Sequence, residues 1–279
     1  MVRAIHDHGH ELRVLVRDSA RARDLPAQPE SGDLTDATSL RRATEGVDAV
    51  VHLVAIRQGT AEQFQRVMEQ GTRDLVAAAK EHGVRRFVLM SALGTSQETK
   101  DLVPYYHAKW DEEETVRSSG IEHVIFRPSF VFGREGGILP TFKRLARLTP
   151  ATPIIGSGEQ RIQPIWVDDV AVYFAAAVDD EKAANRTFEL GGPDAVSWNE
   201  FWERLRAALG IRRRPTLHVP TGLMRMNAML TERLPGNIPL TRDLLTMLEH
   251  GDNVVRNAEA VETFEIPLVP LDEQLRRAA

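Results

Sequence analysis

The sequence predicts an α/β fold organised around a doubly wound parallel sheet, and three observations predict it. Up to about residue 130, short runs rich in Val, Ile and Leu alternate with longer amphipathic segments. Gly46, Gly83 and Gly120 follow those segments, and glycine readily takes the left-handed conformation that stops a helix. The next apolar run then starts within a few residues, the spacing of successive βαβ units.

The expected strands are Glu11 to Val16, Ala49 to Val54, Arg86 to Met90 and His123 to Phe126. The expected helices run near Ser39 to Glu45, Ala61 to His82 and Tyr106 to Ser118. Val2 to His8 reads as the last turns of a further helix, closed by Gly9. A helix tail with no strand before it implies a chain that begins inside a βαβ unit. The first strand, a phosphate-binding loop and a helix start, roughly 15 to 20 residues in this architecture, are expected to lie outside it. The stretch Ala27 to Ser31 is short and has no apolar run, so the strand due there is expected to be weak or lost.

After Gly133 proline and glycine become frequent, and helical segments such as Leu139 to Leu148 and Trp198 to Leu209 alternate with short strands. Thr187 to Leu190, ending in Gly191 and Gly192, resembles another strand of the main sheet. The expected division is a first domain over 1–135, joined by strands near 165 and at 187–190, and a smaller second region over 136–279.

Composition narrows the function classes. Hydrophobic residues make up 42% and charged residues 27% of 279, which excludes disordered and collagen-like chains. A net charge of −5 with mixed signs argues against nucleic acid as a partner. The run Arg212, Arg213, Arg214 reads as a solvated loop. Without cysteine there are no disulfides, thiolate nucleophiles or sulfur-ligated metals, which fits a reducing cytoplasm. No apolar run approaches the roughly 20 residues that cross a bilayer, and the first residues lack the apolar core of a signal peptide, so a cytoplasmic location is expected.

Tyr105 and Lys109 stand four residues apart at the start of a helix, after a strand that ends in Met90 and Ser91. At that spacing both side chains leave one helix face. A phenol with a pKa of about 10 is a poor proton shuttle at neutral pH, and a nearby ammonium favours its ionised form. Such a pair can exchange a proton with a substrate hydroxyl or carbonyl while hydride moves to or from nicotinamide, with Lys109 donors left for ribose hydroxyls. By itself the spacing reads as a surface pair, since a Tyr and a Lys four apart recur by chance in many helices; the strand ending in Ser91 is what points to chemistry.

Several motifs, taken together, carry a family resemblance. They are Arg13 to Arg17 (RVLVR), Gly32 to Asp36 (GDLTD), Val47 to Ala55 (VDAVVHLVA), Gly71 to Leu75 (GTRDL), Arg85 to Gly94 (RRFVLMSALG), Pro104 to Trp110 (PYYHAKW), Arg127 to Gly133 (RPSFVFG) and Pro164 to Ala171 (PIWVDDVA). Over nearly its whole length the chain resembles the extended and atypical short-chain dehydrogenases/reductases, in particular NmrA-like proteins and the NDUFA-nine-type subunit of respiratory complex I. The resemblance implies a Rossmann-like fold, here lacking its first strand, with a smaller C-terminal α/β substrate region.

It also implies roles for residues. Arg17 would grip a 2′-phosphate, favouring NADP, with NAD the alternative cofactor. Asp33 would accept from the adenine amino group and Leu34 pack on the ring; as a plain turn or capping residue, Asp33 would bond near Thr35 and Asp36 instead. Leu53, Val54 and Ala55 would line the dinucleotide, and Pro128 and Ser129 would lie beside the carboxamide. The catalytic set would be Tyr105, Lys109 and Ser91.

Three departures stand out: no glycine-rich loop is present, Ala92 and Leu93 stand where the family's catalytic hydroxyl usually lies, and the Ala27 to Ser31 strand is weak. Asp168 and Asp169 resemble a helix start, not a catalytic pair. His6, His8 and His10 read as solvated, so no metal is expected. Met224, Met226 and Met229 read as core filling or as the wall of a substrate pocket.

The function implied is an NAD(P)H-binding oxidoreductase, or an epimerase- or dehydratase-like enzyme, acting on a small molecule that the sequence does not name. The alternative is a non-catalytic NAD(P)H-binding redox sensor or a respiratory-complex accessory or assembly protein. Either fits a monomer, a homo-oligomer or a larger complex.

Overall fold

The computed structural model describes residues 1–212, 214–231 and 241–279, so Arg213 of the basic run lies outside the described residues. Two compact units emerge, Met1–Pro128 with Asp168–Leu190 and Asn257–Ile266, and Ser129–Val167 with Gly191–Arg256 and Pro267–Ala279.

The first unit opens with α1 (Val2–Asp7), β1 (Arg13–Val16), β2 (Gln28–Ser31), α2 (Ala37–Thr44) and β3 (Ala49–His52). It continues with α3 (Ala61–Phe64), a π-helical turn at Gln65–Gln70, α4 (Gly71–Glu81), β4 (Arg86–Met90), α5 (Pro104–Arg117) and β5 (Glu122–Pro128). Next come β6 (Val131–Phe132), α6 (Leu139–Leu148), β7 (Thr152–Ile155), β8 (Arg161–Ile162) and β9 (Ile165–Trp166) of the second unit. After α7 (Val167–Ala176) and β10 (Arg186–Leu190) of the first come β11 (Val196–Ser197), α8 (Trp198–Ala208), β12 (Thr216–Val219), α9 (Thr221–Thr231) and α10 (Arg242–Glu249) of the second. Finally α11 (Ala258–Phe264) returns to the first unit and α12 (Leu271–Ala278) closes the second.

Four strands form the central parallel sheet of the first unit, in the order β10-β5-β4-β3. Its inner strands are apolar on both faces: Phe87, Val88, Leu89, Val124, Ile125 and Phe126 are all fully buried. That is the pattern required when helices cover both sides of a sheet. The α/β parallel architecture expected from the sequence is therefore present, and Arg186–Leu190 joins it beside β5.

Two expectations about strands need correction. A strand does form at Gln28–Ser31, pairing in parallel register with β1 from Arg13 opposite Gln28 to Val16 opposite Ser31. An edge strand draws its hydrogen bonds from one neighbour and tolerates Pro29, and Arg42 Nε anchors it by donating to Glu30 at 2.8 Å. Ile165–Trp166, expected in the main sheet, pairs instead with Val131–Phe132. The Trp166 ring belongs to the core of the second unit with Phe132 and Phe201, which fixes the strand there.

The helix read as Ala61 to His82 runs continuously but changes pitch at Gln65–Gln70. A π-turn rotates the faces on either side of it. Phe64 and Met68 thereby cluster with Ala108 of α5, whereas Gly71 meets Leu34, whose Cγ would lie 2.6 Å from an added Cβ. Helix α5 is also clamped to β5. The fully buried Glu113 accepts from Arg127 Nε at 2.8 Å and Nη2 at 2.6 Å, and from Arg117 Nη2 at 2.6 Å.

In the second unit the core gathers Phe132, Leu139, Phe201, Trp202, Leu271 and Leu275. Met226 and Met229 of α9 are exposed and fill no core. Asp168 and Asp169 occupy the first turn of α7. Among the described residues no helix is long and apolar enough to cross a membrane.

Candidate active site

Helix α5 begins with Pro104 at its first turn, where a missing N–H costs nothing. The next turn presents Tyr105 and Lys109. Tyr105 sets its ring edge-on to Phe64 at 6.2 Å and packs against the Phe64, Met68 and Ala108 cluster. Lys109 is buried, and its Nζ donates to Met90 O at 2.7 Å, at the end of β4, and to Glu112 Oε2 at 2.9 Å.

Behind the ion pair runs a chain of buried polar groups. Thr72 Oγ1 donates to Glu112 Oε1 at 3.3 Å, and His52 Nε2 lies 2.9 Å from the same Thr72 oxygen. A carboxylate oxygen only accepts, so the Thr72 proton points to Glu112 and His52 donates from Nε2. Sequence reading missed this chain. Glu112 sits in a run of three glutamates that looks solvated, yet the helical phase puts it three residues beyond Lys109 on the inward face, and only Glu114 of the three is exposed.

The electrostatics correct one expectation. Burial raises the Tyr105 pKa above its ordinary 10.0; Lys109 and Arg57 pull it back, and Glu112 pushes it further up. The ammonium alone was expected to make the phenol easier to ionise, but desolvation and the second charge outweigh it. Burial also opposes the Lys109 charge, yet Glu112, followed by Tyr105, holds the Lys109 pKa above the usual lysine value.

Enclosure drives His52 from 6.5 down to about 3, helped by Lys109, so its imidazole is neutral in the folded protein. An unfolded histidine takes up a proton below about 6.5. Unfolding thus binds a proton in this window. The His52 contribution to stability is whole above pH 6.5 and is lost as pH falls toward about 3, at up to about 1.4 kcal/mol per pH unit. His52→Gln is expected to flatten this part of the curve in urea unfolding midpoints taken against pH. A slope equal to the parent's would assign the acid sensitivity to other groups.

The residues singled out for a dinucleotide fall mainly at the carboxyl ends of the strands. Arg17 follows β1 and is 83% exposed, with Nε 3.9 Å from Asp33 Oδ2 beyond β2. The Asp33 carboxylate accepts from Thr35 N at 2.9 Å and Thr35 Oγ1 at 2.7 Å, a turn that lowers its pKa. Its turn role is thus satisfied within the chain. Leu34 is buried against Gly71 and offers little open surface to a ring. Leu53, Val54 and Ala55 form an exposed apolar strip past β3.

Ser91 is buried at the end of β4, and its Oγ has no hydrogen-bond partner among the described residues. The same is true of Thr95 Oγ1 in the loop that follows, a residue the sequence did not single out. Pro128 ends β5, and its carbonyl accepts from Leu93 N at 3.1 Å. Ser129 begins the second unit, where its hydroxyl is bonded to the Asn253 side chain.

Residues 1–181 match the family model described as NAD(P)H-binding. The chain belongs to this NAD(P)H-binding family. It is similar to the mitochondrial NADH dehydrogenase [ubiquinone] 1 alpha subcomplex subunit 9 of Arabidopsis thaliana, 31% identical over 178 residues, 63% of this chain and 44% of that protein. It is also similar to a ceramide reductase of Caulobacter vibrioides, 27% identical over 234 residues, 82% of this chain and 73% of that one. The chain spans 43% to 66% of the length of the mitochondrial subunits of Arabidopsis thaliana, Mus musculus and Rattus norvegicus to which it is similar. Among solved structures, an NADPH-dependent quinone oxidoreductase from Escherichia coli complexed with NADPH shares the fold of the NAD(P)H-binding protein. That match has a TM-score of 0.78 at 17% identity, over 98% of this chain and 93% of that one.

Proposed function

We propose that this NAD(P)H-binding protein is a reductase that takes hydride from NADPH and protonates the reduced substrate from Tyr105. The observation that carries the reading is the pair on α5: Tyr105, packed edge-on against Phe64, stands one turn before Lys109, whose Nζ donates to Met90 O at the end of β4 at 2.7 Å. With its pKa raised, Tyr105 holds its proton at neutral pH and stands ready as the acid of the transfer, not as its base.

Two features fit a reduced nicotinamide dinucleotide. The buried hydroxyls of Ser91 and Thr95 have no partner among the described residues and are available to a polar ligand group. Leu53 and Val54 leave 36% and 45% of their surface open past β3, an apolar flank for a planar ring. When bound, the cofactor would supply hydride; the first unit supplies a proton from Tyr105, orientation from Lys109 and polar contacts from Ser91 and the Pro128 carbonyl.

NADPH is preferred here over NADH because the Arg17 guanidinium is free to reach a 2′-phosphate from beside Asp33. Arg17→Ser is expected to weaken NADPH binding by about 10- to 100-fold, the worth of one charge-assisted contact, and to leave NADH binding unchanged. Cofactor fluorescence titrations measure both. Equal losses for the two cofactors would remove Arg17 from phosphate recognition.

The substrate class proposed is a carbonyl or quinone, and NADPH consumption across such a panel tests the reading. Cofactor bound but never consumed would favour a second reading, a non-catalytic accessory or sensor. The similarity to complex I subunits supports that second reading, as does the pairing of Lys109 with Glu112.

A further inference from the structure

Glu112 is a charge buried beside the proposed proton donor, and the proposed reaction assigns it no task. Its carboxylate is fully enclosed, one oxygen 2.9 Å from Lys109 Nζ and the other receiving Thr72, which is itself fixed by His52. Lys109 Nζ in turn spends a second donor on Met90 O, so two of its three protons are committed away from Tyr105. The charged and titratable groups around the donor are Lys109, Glu112, Glu113 and Tyr106 on α5, Arg57 after β3, and His52 on β3.

A buried ammonium needs one counter-charge. Glu113 is taken up by Arg117 and Arg127, which leaves two groups near Lys109 as that anion: the Glu112 carboxylate, whose pKa burial raises while Lys109 and Thr72 draw it back, or a Tyr105 phenolate. We propose that Glu112 is a positioning residue that balances Lys109 and so keeps Tyr105 protonated, biasing the site toward reduction over alcohol oxidation. The inference rests on the reductase reading above. In the reductive direction hydride adds to the substrate carbon, the carbonyl π pair moves to oxygen, and that oxygen takes the Tyr105 proton. Solvent then returns a proton to the phenolate. Oxidation would need the phenolate first, and with Glu112 in place the site already has its anion.

Only three tyrosines are present. Burial pushes Tyr106 and Tyr173 to about 12, and the phase of tyrosinate absorbance that Tyr105→Phe abolishes in the cofactor-free protein belongs to Tyr105. Glu112→Gln is expected to lower that midpoint by about 1 to 3 pH units, the effect of losing one close charge. Glu112→Asp, which keeps the charge, is expected to restore most of it. Should Glu112→Gln fail to fold, Thr72→Val removes one hydrogen bond from the carboxylate and is expected to give a smaller shift of the same sign. An unmoved Tyr105 midpoint in the folded variant overturns the proposal. The alkaline limb of the reductive pH profile should move down together with the midpoint; a limb that stays put also overturns it. Absence of NADPH consumption by the parent overturns the reductase reading itself, whereas the titration judges Glu112 independently.

Discussion

Tyr105→Phe is expected to lower kcat for NADPH-dependent reduction by about 10²- to 10⁴-fold, the usual worth of a positioned general acid, with cofactor affinity unchanged. The substitution is a clean probe because of what it leaves in place. The ring keeps its edge-on contact with Phe64 and its packing on Met68 and Ala108. Lys109 loses no hydrogen bond, since its donors go to Met90 O and Glu112. No buried cation is stranded, so a fall in stability is not expected to accompany the loss of rate. Steady-state NADPH oxidation and fluorescence titration together make the measurement. A kcat equal to the parent's would remove Tyr105 from proton transfer; a parallel loss of rate and of cofactor affinity would point to packing instead of chemistry.

That this helix carries the candidate chemistry was legible in the sequence, because a four-residue spacing after an apolar strand survives any uncertainty in helix ends. Apolar runs located the sheet for the same reason: Phe87 to Leu89 and Val124 to Phe126 face packed helices on both sides, and only such runs tolerate that. What the sequence hid depends on neighbours distant along the chain. Gln28–Ser31 has no strand pattern because the backbone of β1 carries it. The π-turn at Gln65–Gln70 serves two partners, Tyr105 on one side and Leu34 on the other, and neither is adjacent in sequence. The pKa of Tyr105 ran opposite to the pairwise argument, since an ammonium four residues away says nothing of enclosure or of Glu112 behind it. Residue spacing reports which groups share a face; it does not report how much water is left around them.

The second large effect concerns the arginine that closes the sheet against the same helix. Arg127→Leu is expected to destabilise the protein by about 3 to 5 kcal/mol, because it leaves a charge buried without its main partner. Glu113 is fully enclosed and would lose both bonds of the Arg127 fork, keeping only Arg117 Nη2 at 2.6 Å. Adding Glu113→Leu removes the stranded carboxylate, and the double variant is expected to recover most of the loss, since an apolar pair of similar size can match a buried ion pair. Arg117 retains Glu114 at 2.7 Å and Thr187 Oγ1 at 3.2 Å, so it is not left without partners in that background. Urea unfolding midpoints of the two single variants and the double variant close the cycle. A single-variant loss below about 1 kcal/mol, the range of exposed pairs, would mean that the fork is solvated. Because Glu113 lies one turn beyond Lys109 on α5, the destabilised Arg127→Leu protein should also show a weakened site, and the double variant should recover kcat along with stability if the clamp acts only by holding α5 on β5.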